Sequence, residues 1–299
     1  MPAAERPHVQ AGTRTSGRTG SVIPYEKADK WDDRLMMLTD GHLLDHRRPD
    51  AGQRSDALAA LFDPTTFRHL ERLGVGSGWR CWEVAAGGMS VVSWLAKRAG
   101  PTGRVLATGP DTSWAPPAVR PPIQLRVHDV GADEPPAEGF DLVHARFVLA
   151  QVPDPERALR TMVKALRPGG RLLVEDADPT LQPLACPDEH GPEQQLANRV
   201  RRAMCDVRAE QGAELAYGRR LPRLLREAGL RRVEADAYFP LASPACGAFE
   251  AEAVGQVREQ LVAAGRVTEQ DLDRHLANAA AGGTDLATAP LISAWGRKA

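Results

Sequence analysis

The chain has 299 residues, enough to bury a substantial core as one domain with an insertion or as two small domains. Lys and Arg number 38 against 39 Asp and Glu, a net charge of -1 spread along the chain rather than blocked. That balance excludes a bulk polyanion such as nucleic acid and a polybasic membrane patch from the expected partners.

Residues 1–20 hold Pro, Gly, Thr, Ser and Arg without an apolar stretch, so they predict a flexible arm and not a secretory signal or membrane span. Residues 21–54 follow as an N-terminal cap segment. Asp40, His42, Asp45 and His46 cluster there, but Gly41 and Pro49 predict a loop, and no metal site is expected. The core is expected over 55–180. Apolar residues at helical spacing predict a helix over 56–73, and a Gly-rich step at 74–78 leads into a strand at 80–84. A helix at 90–99 ends at Gly100-Pro101, and a strand at 104–108 precedes a Pro-rich loop.

Strands follow at 123–128 and 140–145. Asp154 caps a helix over 155–166, and Pro168-Gly169-Gly170 turns the chain into a strand at 171–175. Residues 181–215 break the rhythm with a loop and a polar helix, a first cap insertion. The core resumes over 216–239 with a helix at 221–228 and a strand at 231–239. Residues 240–287 read as a second, helical cap insertion, and 288–299 carry a last strand at 290–296. Cys81, Cys186, Cys205 and Cys246 lack metal or disulfide spacing, and a cytoplasmic home is the simplest expectation.

Alternating helices and strands make a parallel-rich α/β sheet, in which ligands sit beyond the carboxyl ends of the strands. Those ends carry Glu83-Val84-Ala85-Ala86-Gly87-Gly88-Met89, Thr108-Gly109-Pro110-Asp111, His128-Asp129-Val130 and His144-Ala145-Arg146. In order and spacing, with Gly100-Pro101-Thr102-Gly103, Leu166-Arg167-Pro168-Gly169-Gly170 and Tyr217-Gly218-Arg219-Arg220 between and after them, these segments resemble the S-adenosylmethionine (SAM)-dependent methyltransferase family. The likeness is to its actinobacterial small-molecule enzymes. The resemblance implies a Rossmann-like class I sheet of seven strands, the last antiparallel, under a helical cap.

It also implies SAM contacts at Glu83, Ala85, Gly87, Asp111, Asp129, Val130 and Ala145, and a small-molecule acceptor. A homodimer is a possible assembly. Three positions depart from the family. Ala85 and Met89 replace glycines of the first loop, and Gly109 replaces the acid that accepts hydrogen bonds from the ribose. Asp111 lies two residues beyond that position, whereas Asp129 matches the acid beside the adenine. The expectation is a weakened or lost SAM site. Met89 either fills cofactor space or folds into a core gap.

His144 ends a strand at the ligand-facing edge and reads either as a general base or as a structural residue. Arg146 is a candidate clamp for a carboxylate. Glu175, Asp176 and Asp178 line the acceptor site or form a solvated turn; Glu83 orients the loop, reaches the cofactor through water, or caps the turn. Three functions remain open: a SAM-dependent methyltransferase of secondary metabolism, an enzyme on the same scaffold performing a cyclisation or rearrangement, and a non-catalytic relative.

Overall fold

The computed structural model describes residues 51–116, 118–137 and 139–299, with side chains from residue 56 onward. The arm, most of the first cap segment and the Asp40–His46 cluster lie outside the described residues.

Seven strands form one sheet in the order β3-β2-β1-β4-β5-β7-β6. They are β1 (Arg80–Val84), β2 (Arg104–Gly109), β3 (Ile123–Val127), β4 (Phe140–Arg146), β5 (Leu166–Ala177), β6 (Arg231–Tyr238) and β7 (Leu291–Arg297). The first five are parallel. β7 runs antiparallel between β5 and β6, as the sequence predicts.

The 168–170 turn belongs to β5 itself. Gly169 takes a φ of +76° there, and a Cβ on Gly170 would lie 2.8 Å from the Phe140 carbonyl oxygen, so only glycine fits this close strand approach. The register between β4 and β5 shifts at the same place.

Strand alternation sorts the side chains into two layers. Trp82, Val84, Val143, Ala145, Leu172 and Val174 pack on α3 (Pro155–Ala165) and α5 (Leu221–Glu227). Cys81, Val105, Ala107, Leu142 and Leu173 face α1 (Ala51–Arg72) and α2 (Met89–Ala99). α1 starts five residues before the predicted helix.

Both cap insertions supply helices: α4 (Pro192–Glu210), α6 (Pro244–Ala263) and α7 (Glu269–Ala280). Leu196, Val200 and Met204 of α4, Val254, Val257 and Leu261 of α6, and Leu272 of α7 share one apolar cluster. Among the described residues, no helix is long and apolar enough to cross a membrane.

Candidate active site

The loop after β1 makes the tight turn that its sequence position requires. Ala85 has a φ of +49°, in the left-handed region where a glycine costs nothing and an alanine about 1–2 kcal/mol. The Ala86 amide donates to the Thr108 carbonyl at 2.7 Å, tying this loop to the end of β2. Gly87 and Gly88 are half-buried and lead into α2. Met89, the first residue of α2, packs against the apolar cluster of Leu70, Val75 and Cys81. The side chain is half-buried there, at the edge of that cluster.

The loop after β2 closes over position 109. A Cβ on Gly109 would stand 3.0 Å from the Asp111 carbonyl oxygen. The Asp111 carboxylate accepts hydrogen bonds from the Ser113 amide at 2.9 Å and the Ser113 hydroxyl at 2.5 Å, so it caps its own turn. At the end of β3, Asp129 Oδ1 accepts from the Gly131 amide at 2.8 Å, and Val130 is buried in the core. His128 is a packed structural residue, bonded to the Glu134 carbonyl oxygen and edge-on to Trp82. Ala145, expected among the cofactor contacts, has its methyl group in the core with Val84 and Val174.

His144 departs most from expectation. It is fully buried, with Nδ1 2.7 Å from Glu83 Oε2 and Nε2 3.2 Å from Glu175 Oε2. Burial alone would lower its pKa; the charges of Glu83 and Glu175 and their hydrogen bonds outweigh that and raise it to about 9. The ring is therefore an imidazolium donating at both nitrogens. It is a poor base, and it does not line the cap cavity.

The pair belongs to a polar row crossing five strands on the α1 side of the sheet. Ser293 of β7 donates to Glu175 at 2.6 Å, and Asp236 of β6 lies 3.0 Å from His69 Nε2. Thr66 and His69 come from one stripe of α1, with Thr66 donating to Glu175 at 2.6 Å. Burial opposes ionisation of Glu175, but bonds from His144 and His69 hold its pKa well below the usual carboxylate range. His69 is raised; burial opposes the shift and its two carboxylate partners prevail.

Arg146 is consumed in the same layer. It bonds Thr66 at 3.0 Å and Asp63 at 2.9 Å, while Ser90 also donates to Asp63. Arg146 thus ties α1 to the sheet directly, whereas His144 links β1, β4 and β5 and meets α1 only through Glu175. Polar residues at 63, 66 and 69, spaced along one helical face of an otherwise apolar segment, were the readable signal for this row.

The cavity lies elsewhere, between α1, the ends of β4 and β5, and cap helices α4 and α6. It has a volume of about 140 Å³ and apolar walls from Phe62, Phe147, Met204, Phe249 and Ala253. Phe147 lines it from a left-handed turn (φ +58°) immediately after β4. Of Glu175 and Asp176 in the last residues of β5 and Asp178 just beyond it, Asp176 alone lines the cavity. Asp178 is held by Arg219 through two side-chain bonds at 2.7 Å. Burial pushes the Asp176 pKa up to about 8, although amides of Ala150 and Leu149 bond to it. An acid titrating near neutrality on an apolar pocket has the properties of a proton-transfer group.

A family model described as methyltransferase domain matches residues 85–235, from the turn after β1 to the middle of β6. The chain belongs to this methyltransferase domain family. It is 31% identical over 127 residues to a ubiquinone/menaquinone biosynthesis C-methyltransferase of Bordetella parapertussis, covering 39% of this chain and 47% of that protein. It is 25% identical over 261 residues to an uncharacterized 37.1 kDa protein in transposon TN4556 of Streptomyces fradiae, covering 83% and 71%. The methyltransferase matches span between a fifth and about half of those relatives' own length.

Solved structures share the fold at low identity. A putative methyltransferase from an antibiotic biosynthesis pathway of Anabaena variabilis aligns with a TM-score of 0.54 at 13% identity, covering 77% of this chain and 96% of that one. Phosphoethanolamine N-methyltransferase 2 of Haemonchus contortus, in complex with phosphomonomethylethanolamine and S-adenosylhomocysteine, aligns with a TM-score of 0.53 at 14% identity, covering 87% and 60%. In this methyltransferase-family chain the sheet carries the expected loops, and the cap adds the cavity. Among the described residues no group of His, Cys, Asp and Glu is arranged to hold a metal ion.

Proposed function

We propose that this chain is an enzyme that transfers a methyl group from SAM to a small molecule held in the cap cavity. The observation carrying the proposal is the apolar cavity at the carboxyl ends of β4 and β5, beside the sheet edge that presents the 85–88 turn and Asp129. Class I methyltransferases bind cofactor along that edge.

The fit to SAM is uneven. Gly87 and Asp129 keep the family's residues, Glu83 keeps its acid although it is bonded to His144, and the left-handed turn at Ala85 keeps the backbone shape of a glycine loop. Ala145 and Val130 line the strand ends from the core. The ribose end lacks its acid, with Gly109 in its place and Asp111 directed to Ser113. Losing a charge-assisted pair there costs about 2–4 kcal/mol, or roughly 30- to 1000-fold in affinity.

The cofactor supplies a methyl group already activated on a sulfonium. The protein's task is then to align the acceptor and, for a weakly acidic acceptor, to remove its proton. Asp176 is the group on the cavity suited to the second task, the role anticipated for His144. The core (55–180, 216–239, 288–299) serves the cofactor, and the cap (21–54, 181–215, 240–287) serves the acceptor. A cytoplasmic setting in secondary metabolism and a homodimer belong to the same proposal.

A second reading is a non-methylating reaction on the same scaffold, and the missing ribose acid favours it. Calorimetric titration with SAM separates the two. Dissociation constants in the micromolar range support methyl transfer, whereas no heat at millimolar SAM gives the lead to the second reading.

A further inference from the structure

Among the described residues, the cap cavity holds one cation with guanidinium nitrogens that no side chain or carbonyl bonds. Arg208, on α4, lines the cavity; the residue is half-buried, and its Nε and Nη2 atoms are buried without a hydrogen-bond partner. The carboxylates on the same walls are committed. Glu250 takes Arg201 at 2.6 Å and His275 at 3.1 Å, both on buried side chains. Glu214 accepts from Arg220 at 3.0 Å and from the Ala216 amide at 3.1 Å. Asp176 accepts the Leu149 amide at 3.1 Å, and burial raises its pKa to about 8. Arg201 itself also spends an Nη2 bond on the Ala287 carbonyl oxygen at 3.1 Å.

An uncompensated guanidinium in a desolvated site is strongly unfavourable, and native proteins leave few polar groups in that state without a functional reason. Burial depresses the Arg208 pKa and, with Arg201 adding to it, prevails over the opposing charges of Cys205 and Glu250. The group is poised to gain from an anion. The planar fork matches a carboxylate, and the walls of Phe62, Phe147, Met204 and Phe249 suit an apolar body. A volume of about 140 Å³ is close to that of cavities that accept a single benzene ring.

We propose that the acceptor is a small carboxylic acid with an apolar body of about one ring, its carboxylate held by Arg208. This rests on the cap cavity being the acceptor site, as proposed above, and it adds the chemical class of the substrate.

Benzoate, isosteric neutral benzamide, and SAM as separate ligands test it on the full chain by calorimetry. Benzoate should bind at least tenfold more tightly than benzamide. Arg208→Gln should weaken benzoate by about 10- to 100-fold, the range of a charge-assisted hydrogen bond, and leave benzamide unchanged. Arg208→Lys, which keeps the charge without the fork, should fall between. Because Nε and Nη2 of Arg208 bond none of the described residues, the thermal midpoint of Arg208→Gln should stay level or rise.

Equal binding of benzoate and benzamide, no benzoate binding at millimolar concentration, or unchanged benzoate affinity in Arg208→Gln would overturn the assignment. So would a large drop in its thermal midpoint, which marks a structural role. Failure of SAM to bind while benzoate binds normally would remove the methyl-transfer reading and leave the carboxylate site standing.

Discussion

Replacing His144 by Gln removes the charge at the centre of the Glu83–His144–Glu175 row while leaving one hydrogen-bonding amide of similar size. With no exposed surface on His144 or Glu175, the two carboxylates then share a dry layer without their cation. Breaking a buried pair from one side costs about 3–5 kcal/mol, which is the loss expected at pH 6. The cost must shrink with pH. A folded pKa of about 9 against 6.5 unfolded is worth about 3 kcal/mol, at about 1.4 kcal/mol per tenfold change. Because the folded value is raised, this stabilisation is fully present below pH 6.5 and lost as pH rises through 9. Guanidinium unfolding of both proteins at pH 6, 7.5 and 9.5 measures the gap directly. Asp176, which also titrates in this window, is present in both proteins and cancels in the difference. A gap that stays constant from pH 6 to 9.5 would refute an imidazolium at this position.

Two further outcomes follow from the site. Asp176→Asn should keep the fold, since amide and protonated acid are isosteric, but lower kcat by at least about 100-fold and abolish the rise of rate through pH 8; an unchanged pH profile would remove Asp176 as the proton-transfer group. Ala85→Gly should change stability by less than about 1 kcal/mol, because strain relief at φ +49° and added unfolded-state freedom oppose each other. It should also raise SAM affinity by removing the Cβ from the turn, and a fall in calorimetric affinity would contradict that reading.

The sheet was legible because its signals are local. Apolar alternation marked the strands, Gly and Pro marked their ends, and the two antiparallel partners at 231–239 and 290–296 matched β6 and β7 to within a residue at each end. The roles of individual side chains were less legible, for a geometric reason. His144 occupies the right strand position for a catalytic group, but its function depends on what faces it. Glu83 is 61 residues away, and Glu175 is 31. Their approach follows from strand order, in which β1 and β5 flank β4. Arg146 was likewise taken up by Asp63 of a helix 83 positions earlier. The cap was harder still: nothing in the spacing of Arg201, Arg208 and Glu250 shows which arginine the glutamate neutralises.

Charge compensation separates the two polar centres of this protein more reliably than position does. Under α1 every strong charge has an opposite partner: His144 has Glu83 and Glu175, Arg146 has Asp63, and His69 has Asp236. Such a network fixes one arrangement of helix on sheet: its charges are paired, although Asp63 Oδ1, His69 Nδ1 and Asp236 Oδ1 are buried without a hydrogen bond of their own. In the cavity, Arg201 and Glu250 are matched in the same way, and among the described residues Arg208 Nε and Nη2 are left without a bond. Folding alone gains nothing from burying that last charge, since a hydrophobic side chain of similar volume would suit the site better. Its presence is explained by a bound anion. The residues that look catalytic by strand position are paired with opposite charges, and the proposed recognition falls to Arg208, which sequence position did not single out.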